Sequence, residues 1–385
     1  MALPATTQGV GSPSGASGPL RVVIAGGGTG GHVYPGIAVA RELQSRAPDV
    51  QISFAGTARG LEARVVPREG FPLDLIRSGG LKGKSVLDRL RGAALVPVGL
   101  ADGWWIVSRR RPDLVIGVGG YSSGPVVLVA ALRGVPTMLL EQNAVPGLTN
   151  RLLARVVRAA AVTFESTQAF FGAKAFVSGN PVRPEFFAVG SEREPASQEA
   201  ASVARVLVFG GSQGAHAINV AMVEGAAMLA ASPDLRLVHQ TGERDAAMVT
   251  AAYREAGLPA IVEPYLDDMG RQLGRADVVV CRAGATTLAE LAAVGRAAIV
   301  IPLPTATDDH QRTNAESLEA VGAAEVMLQA DAGGGALAAR ILALVRDAAR
   351  RQRMAAAARA LARPDAARVI VDRALALVAR EGLAC

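Results

Sequence analysis

Cysteine, aromatic residues and charged residues are all scarce in this chain of 385 residues. Its two cysteines, Cys281 and Cys385, cannot build a disulfide framework, which favours a reducing compartment. Aromatic residues make up only 4%, which argues against surfaces that stack nucleic-acid bases. The formal net charge of +6 is a mild attraction to anions, and we expect no nucleic-acid partner.

The sequence also lacks any uninterrupted apolar run of about 20 residues, so we expect no membrane-spanning helix. The nearest candidate, residues 92–107, is broken by Pro97 and Asp102. Residues 1–19 have neither a basic start nor a continuous apolar stretch, which argues against a secretory signal and predicts a disordered tail. The chain is therefore expected to be soluble or peripheral to a membrane.

Short apolar runs alternate with glycine-rich turns and helical segments, which predicts parallel sheets covered by helices on both faces. The first half has predicted strands at residues 21–25, 51–55, 73–76, 114–118, 137–140 and 160–163, and a helix through 37–44. The second half has predicted strands at 205–209, 235–240, 260–263, 277–281 and 298–302, and a helix at 215–229. The predicted fold class is α/β, with two doubly wound units facing a cleft.

A change in composition marks the predicted boundary between the units. Residues 187–204 are rich in Ser, Glu, Pro and Gln, as linkers are. We expect a tail at 1–19, a first unit at 20–186, a linker at 187–204, a second unit at 205–363 and a terminal helix at 364–385. Apolar residues of that helix share one face, which suits packing on either unit, including the first.

Each predicted unit opens with a strand, a glycine loop and a helix. The loops are GGGTGGH (26–32) and GGSQGAH (210–216). Glycine lets the backbone approach an anion, and the following helix offers unpaired N–H groups. An NAD site would also need an acidic residue after the second strand, where Gly56 and Thr57 stand instead. Two such loops across a cleft suit a pair of substrates that each carry a pyrophosphate.

Polar residues follow later strands of the second unit. Glu290 lies in the first turns of a predicted helix, where a carboxylate can bind two vicinal ribose hydroxyls or simply stabilise the helix dipole. Gln311 and Asn314 suit sugar hydroxyls, or loop capping. The pairs Asp267-Asp268 and Asp308-Asp309 are interpreted as solvated turns. No Asp-x-Asp pair near a strand end indicates a divalent ion, so we expect neither metal nor cofactor.

Several segments together resemble the MurG family of GT-B glycosyltransferases. They occur in the family's order over roughly residues 20–330, and they are GGGTGGHVYPGIAVA, GYSSGPVVLVA, EQNAVPGLTNR, GNPVR, GGSQGAHAIN, PYLDDM, RAGATTLAE and HQRTNA. The family fold is two Rossmann-like domains around a deep cleft. The implied reaction is inverting transfer of N-acetylglucosamine from UDP-N-acetylglucosamine to undecaprenyl-pyrophosphoryl-N-acetylmuramoyl-pentapeptide, in peptidoglycan synthesis.

The resemblance also implies site residues. Contacts to UDP-N-acetylglucosamine are implied at Thr29, Gly30, Gly31, Asn143, Arg183, Ser212, Leu266, Ala285, Thr286, Thr287, Leu288, Ala289, Glu290 and Gln311. Glu290 would hold the ribose, the backbone near Leu266 the uracil, and Gln311 the sugar. The acceptor side, in the first unit, would include Gly28, Tyr121 and Asn150. His32 is the candidate catalytic base, because imidazole titrates near neutral pH.

A basic and apolar segment indicates how such an enzyme would reach a lipid. Residues 78–91 combine four apolar and four basic side chains, namely Leu81, Val86, Leu87 and Leu90 with Lys82, Lys84, Arg89 and Arg91. Trp104, Trp105 and residues 109–111 follow. The pattern is typical of a helix on an anionic membrane, and a core-facing helix with a basic edge is the alternative. The resemblance implies a peripheral position on the cytoplasmic face of the bacterial plasma membrane, roles in cell shape and division, and other cell-wall synthesis proteins as partners.

Other functions are compatible with parts of the sequence. A UDP-sugar transferase acting on another lipid or small acceptor shares the donor half. A UDP-sugar epimerase would need acidic and basic groups around the donor sugar, and no such cluster is evident. An NAD-dependent dehydrogenase lacks its ribose-binding acid. A non-catalytic nucleotide-binding protein would not need two glycine loops.

Overall fold

The computed structural model describes residues 18–79, 86–191, 203–211 and 213–382. The side chains of residues 86–94, 190–191 and 381–382 are likewise not described. Most of the predicted tail, most of the predicted linker, Ser212, Cys385 and the apolar and basic side chains of residues 81–91 therefore lie outside the described residues. Within the described part of the chain, no helix is long and apolar enough to cross a bilayer.

The first unit is a seven-stranded parallel sheet with the order β3-β2-β1-β4-β5-β6-β7. Its strands are β1 Arg21–Gly26, β2 Gln51–Gly56, β3 Leu73–Leu75, β4 Leu114–Gly119, β5 Thr137–Glu141, β6 Ala159–Val162 and β7 Ala175–Val177. Its helices are α1 Gly30–Arg46, α2 Glu62–Arg68, α3 Val86–Arg110, α4 Ser123–Leu132, α5 Leu148–Leu153 and α6 Gln168–Phe171. The winding direction reverses between β1 and β4, so the loops after these two strands diverge and leave a crevice.

The second unit is a six-stranded parallel sheet with the order β10-β9-β8-β11-β12-β13. Its strands are β8 Ala204–Phe209, β9 Leu235–Gln240, β10 Ala260–Glu263, β11 Val278–Cys281, β12 Ala297–Val300 and β13 Glu325–Val326. The remaining helices are α7 Pro184–Ser191, α8 His216–Glu224, α9 Ala226–Ala230, α10 Ala246–Glu255, α11 Met269–Arg275, α12 Ala285–Val294, α13 His310–Glu319, α14 Gly334–Arg346, α15 Ala348–Ala360 and α16 Ala366–Gly382. The crevice here lies between β8 and β11. The prediction of two parallel-sheet units is confirmed.

Each sheet is buried on both faces because its central strands are continuous apolar runs. In β1, Ile24 belongs to the core on one face and Val23 to the core on the other. In β8, Val206 and Leu207 divide in the same way. This two-sided burial holds the ends of the central strands, and the loops that follow them, in fixed positions.

Two helices pack away from their neighbours in sequence. Helix α7 contacts α11 and α12, and its Phe186 is fully buried in the second unit. Helix α16 returns to the first unit, where Ile370, Val371, Ala374 and Leu377 join the core beside α1. The expected boundary at residues 186 and 187 falls inside α7. The division of the chain at the expected positions stays a prediction.

The helix predicted over residues 215–229 is two helices, α8 and α9. They meet at Gly225, where a Cβ would lie 2.6 Å from the Gly334 carbonyl oxygen and 2.8 Å from the Ala338 Cβ. Glycine at position 225 therefore allows α14 to approach closely at the point where the two helices meet. Strands β7 and β13, which have three and two residues, were not expected.

Candidate functional site

The first glycine loop follows β1 and leads into α1. Gly26, Gly27 and Gly28 have φ angles of 146°, 157° and 90°, which side-chain-bearing residues rarely adopt. A Cβ on Gly26 would lie 2.4 Å from the carbonyl oxygen of Gly119, at the end of β4. Glycine is needed here because the loop runs directly against the neighbouring strand, across the first crevice.

His32 lies in the first turn of α1, with its ring against Gly119. Its Nδ1 is 3.2 Å from the Gly27 carbonyl oxygen and 3.3 Å from Thr29 Oγ1. A carbonyl oxygen only accepts, so the contact with Gly27 is a hydrogen bond when the ring hydrogen is on Nδ1, and that tautomer has its lone pair on Nε2. Burial lowers the pKa of His32, while the Gly27 bond opposes this. The ring is thus neutral near pH 7 and competent as a base.

The two crevices meet where the N-termini of α1 and α12 come together. Thr286 Oγ1 donates to the Gly31 carbonyl oxygen at 3.1 Å. The same hydroxyl accepts from Asn180 Nδ2 at 3.2 Å. Because α1 follows β1 and α12 follows β11, this bond joins the carboxyl edges of both sheets into one cleft. The structure thus brings Gly31 and Thr286 together from opposite units, as a shared binding site requires.

An arginine and a glutamate face each other beside the seam, the name we give to the Thr286–Gly31 contact between the two units. The Arg183 guanidinium lies over the Tyr34 ring at 4.7 Å and 4.0 Å from Glu290 Oε1. Arg183 also pairs with Glu185 at 3.2 Å. Burial raises the pKa of Glu290 to about 7, although Arg183 opposes the shift. No described residue donates a hydrogen bond to this carboxylate, so its oxygens can accept from hydroxyls in the cleft.

The second glycine loop follows β8 and leads into α8. Gly214 has a φ of 72°, and a Cβ there would lie 1.8 Å from the Thr241 carbonyl oxygen. His216 begins α8, and its Nδ1 lies 2.9 Å from Asp245 Oδ2. Ser212 lies outside the described residues, and its contact with the donor stays a prediction. The loop nonetheless stands at the second crevice, opposite the start of α12.

The loop after β5 is organised by a buried carboxylate. Glu141 is 2% exposed and accepts from Asn143 N at 3.0 Å, Gly147 N at 3.0 Å and Asn150 Nδ2 at 2.9 Å. Burial raises the pKa of Glu141, and these bonds oppose it. Asn150, which the resemblance places on the acceptor side, is buried, and its hydrogen bond to Glu141 helps to fix this loop. Asn143 stands at the cleft and accepts from Asn314 Nδ2 at 3.1 Å.

Two polar residues, Asn314 and Asp308, make contacts between the units that the sequence did not predict. Asn314 is fully buried and bridges the units through Asn143 and the Ala144 N–H at 2.9 Å, so it does not present its amide to a sugar. Asp308 is exposed in a turn, as expected, but it also forms an ion pair with Arg151 of the first unit. Both residues therefore help hold the two units together.

The other residues implied by the resemblance occupy varied environments. Gln311 Oε1 accepts from Leu303 N at 3.0 Å, which fixes the loop after β12. The Leu288 side chain is 2% exposed and packs in the core, so only its backbone could serve a ligand. Leu266 is half-buried in the loop between β10 and α11. Tyr121 is 40% exposed in the turn that follows β4. Contacts of all these residues with substrates stay predictions.

One residue beside the first glycine loop was not anticipated. The Glu62 carboxylate is 1% exposed and accepts from the Gly28 N–H at 2.7 Å. That N–H, expected to face the acceptor, is therefore already engaged. The only sequence signal was the pair of glycines at 56 and 60, which contact Glu62 in the fold.

Family models match both units of the chain. The glycosyltransferase family 28 N-terminal domain matches residues 22–162, and the family 28 C-terminal domain matches residues 205–370. Together with two parallel-sheet units around one cleft, these matches define a GT-B glycosyltransferase. The chain belongs to glycosyltransferase family 28.

Curated relatives within this family share one description. The UDP-N-acetylglucosamine–N-acetylmuramyl-(pentapeptide) pyrophosphoryl-undecaprenol N-acetylglucosamine transferase of Pelobacter propionicus is 47% identical over 375 residues, covering 92% of this chain and 99% of that protein. The transferase of the same description from Anaeromyxobacter sp. strain K is 47% identical over 366 residues, covering 94% of each chain. The resemblance noted from the sequence motifs is confirmed.

Solved structures agree with this assignment. MurG of Acinetobacter baumannii superposes with a TM-score of 0.74 at 30% identity, covering 93% of this chain and 99% of that one. A UDP-N-acetylglucosamine 2-epimerase from Neisseria meningitidis, bound to UDP-N-acetylglucosamine, gives a TM-score of 0.64 at 14% identity, covering 92% of this chain and 100% of that one. At that identity, the second likeness concerns the fold alone.

Proposed function

We propose that this chain transfers N-acetylglucosamine from UDP-N-acetylglucosamine to the 4-hydroxyl of undecaprenyl-pyrophosphoryl-N-acetylmuramoyl-pentapeptide. The names of relatives that are 47% identical over nearly the whole chain support the reaction. The observation that carries the proposal for this chain is the Thr286–Gly31 hydrogen bond, because it joins one crevice from each unit beside His32.

The donor binds mainly in the second unit in this proposal. Glu290 accepts hydrogen bonds from the two ribose hydroxyls, since its oxygens receive no bond from other described residues. Arg183, 4.0 Å from Glu290, faces the diphosphate with its positive charge. The N–H groups at the start of α8 stabilise the leaving UDP. Gln311 and Asn143 lie at the loops that would enclose the sugar.

His32 removes the proton of the attacking hydroxyl in this mechanism. Its Nε2 accepts that proton as the oxygen forms a bond to the anomeric carbon. The bond between that carbon and the UDP oxygen breaks at the same time, and UDP leaves with the electron pair. The configuration inverts because the nucleophile and the leaving group occupy opposite faces of the carbon. The lowered pKa of His32 keeps Nε2 free of a proton at neutral pH.

We further propose that the first unit rests on the cytoplasmic face of the plasma membrane, where the lipid acceptor would reside. Trp104 and Trp105 of α3 are 58% and 53% exposed, and Leu132 at the end of α4 is 74% exposed. Arg133 stacks on Trp104 at 4.8 Å, and Arg109 stacks on Trp105 at 4.9 Å. Exposed indole rings with adjacent arginines are suited to an anionic bilayer surface. A place in cell-wall growth, cell shape and division, beside other wall-synthesis proteins, would follow from this reaction.

The test is transfer of radiolabelled N-acetylglucosamine from its UDP conjugate to the lipid-linked muramoyl peptide. His32→Ala should lower turnover at least about 100-fold, while UDP binding measured by calorimetry changes little. Gln44→Ala, an exposed change on the same helix, is the control and should retain turnover. Unchanged turnover in His32→Ala would rule out this base. Label entering only other lipid or small acceptors would instead support the alternative transferase.

A further inference from the structure

The carboxylate of Glu62 lies behind the first glycine loop and has no place in the reaction proposed above. It accepts hydrogen bonds from Gly28 N at 2.7 Å, Thr57 N at 2.8 Å and Thr57 Oγ1 at 2.8 Å. It forms no ion pair with any other described residue. A buried charge without a counter-ion is costly, and here backbone and hydroxyl donors replace one.

The chain is built closely around this carboxylate. A Cβ on Gly27 would lie 2.3 Å from Glu62 Cδ, and one on Gly60 would lie 2.1 Å from Oε2. A Cβ on Gly56 would lie 2.5 Å from Cγ. Three backbone segments, namely the loop after β1, strand β2 and the turn before α2, thus approach the same side chain at glycines, and a Cβ at any of them would displace the Glu62 side chain from this position. This packing leaves the Glu62 carboxylate little freedom to move.

The bond to Gly28 also fixes the atom that holds His32. The Gly28 N–H and the Gly27 carbonyl belong to one planar trans peptide, so they point in opposite directions. Glu62 holds the N–H on one side, and the carbonyl oxygen on the other side is 3.2 Å from His32 Nδ1. Rotation of this peptide would break both bonds together.

We propose that Glu62 is a positioning residue for His32, acting through the peptide between Gly27 and Gly28. This proposal rests on the proposed function only because it treats His32 as the catalytic base. By directing the Gly27 carbonyl at Nδ1, Glu62 keeps the ring hydrogen on that nitrogen and leaves Nε2 to accept a proton. The arrangement resembles a carboxylate that orients a histidine, with a peptide group between them.

The charge of Glu62 also affects the basicity of His32. A carboxylate that accepts from one end of a peptide makes the carbonyl at the other end a stronger acceptor. Glu62 raises the pKa of His32, whereas His310 at the start of α13 lowers it. Loss of the Glu62 charge should therefore lower the pKa of His32 further, because the effect of His310 on His32 would remain.

The first test measures the imidazole directly in the ligand-free protein. The chain has four histidines, so ¹⁵N-histidine spectra are simple, and His32→Gln identifies the His32 signals. Wild-type His32 should be the Nδ1–H tautomer. Glu62→Gln should give a mixture of tautomers and a lower pKa. Glu69→Gln, at the other end of α2, removes an exposed pair with Arg41 at 3.1 Å and should change neither.

The second test measures turnover. Glu62→Gln should lower kcat about 10- to 100-fold, since small displacements of a catalytic group have effects of that size. The KM for UDP-N-acetylglucosamine should change little, and the acidic limb of the kcat/KM profile should move to lower pH. In a His32→Gln background, Glu62→Gln should cause no further loss, because it acts through that ring.

Several results would overturn the proposal. They are an Nε2–H tautomer in the wild type, an unaltered tautomer and titration in folded Glu62→Gln, or an equal loss of kcat in the His32→Gln background. If Glu62→Gln does not fold, Glu62→Asp provides the same comparison with a shorter carboxylate that cannot reach Gly28. The spectra need no substrate, so they decide the role of Glu62 even if the transfer assay contradicts the proposed function.

Discussion

The buried carboxyl of Glu290 makes a prediction that can be tested on the ligand-free protein. Its side chain is 12% exposed, and burial raises its pKa from 4.5 to about 7. Ionising such a group costs the folded protein about 3 kcal/mol relative to the unfolded chain. We expect Glu290→Gln to recover about 3 kcal/mol at alkaline pH, since the amide has no charge to desolvate. Arg183 keeps its pairing with Glu185 at 3.2 Å in this variant.

The direction of the pH dependence follows from the two pKa values. Below pH 4.5 the carboxyl is neutral in both states, so the wild type carries no cost there. As the pH rises from 4.5 to about 7, the unfolded chain releases its proton first, and the folded state loses stability relative to it. Above about pH 7 the folded state carries the full destabilisation of about 3 kcal/mol. The variant should therefore gain little at about pH 5 and most at about pH 8.

Thermal unfolding followed by circular dichroism at both pH values provides the measurement. For a unit of this size, about 3 kcal/mol corresponds to a rise in Tm of about 6–12 °C. Glu316→Gln removes an exposed carboxylate paired with Arg312 and should shift Tm by less than about 2 °C. A Glu290→Gln variant that melts no higher than the wild type at about pH 8, or whose Tm shifts equally at both pH values, would contradict this prediction. If Glu290 holds the ribose, the same variant should bind UDP more weakly while being more stable.

Two further predictions concern the seam and the membrane surface. Thr286→Val removes the hydrogen bond to Gly31 and leaves the Asn180 amide without its acceptor, so UDP affinity should fall about 5- to 100-fold by calorimetry. Thr250→Val, which removes a bond within α10, is the control, and equal affinities of the wild type and Thr286→Val would contradict the role of the seam. Replacing Trp104 and Trp105 with Ser should reduce sedimentation with anionic vesicles at least about tenfold, because two large exposed rings are lost. Replacing exposed Met228 and Met248 of the second unit with Ser should leave sedimentation unchanged, and a folded Trp double variant that still binds would contradict the proposed surface.

The central strands could be predicted because local and tertiary signals agree there. Runs such as RVVIA and RVLVF are apolar on both faces and end in glycine loops, which is how a buried parallel strand is encoded. The prediction of one helix over residues 215–229 was wrong at Gly225, where the chain packs against α14, more than 100 residues later in the sequence. Short strands such as β13 have too few residues for a pattern.

The position of a residue at the cleft could be predicted where a motif supplies both the residue and its loop, as for His32 and Thr286, whose roles toward substrates stay predictions. It could not be predicted where a side chain acts through a distant partner. Glu62 meets Gly28 across 34 positions, and Asn314 meets Ala144 across 170. Each is an ordinary residue of a polar helix in the sequence. The packing of α2 brings Glu62 to Gly28, and the packing of α13 brings Asn314 to Ala144.

The return of α16 to the first sheet limits how the enzyme can open. The polypeptide passes from one unit to the other after β7 and again before Ala366, so two covalent crossings connect them. A single crossing would allow the units to swing in any direction. With two, relative motion is confined largely to rotation about a line through both crossings. Any opening of the cleft would then separate Gly31 from Thr286 along one path and return them to the same register.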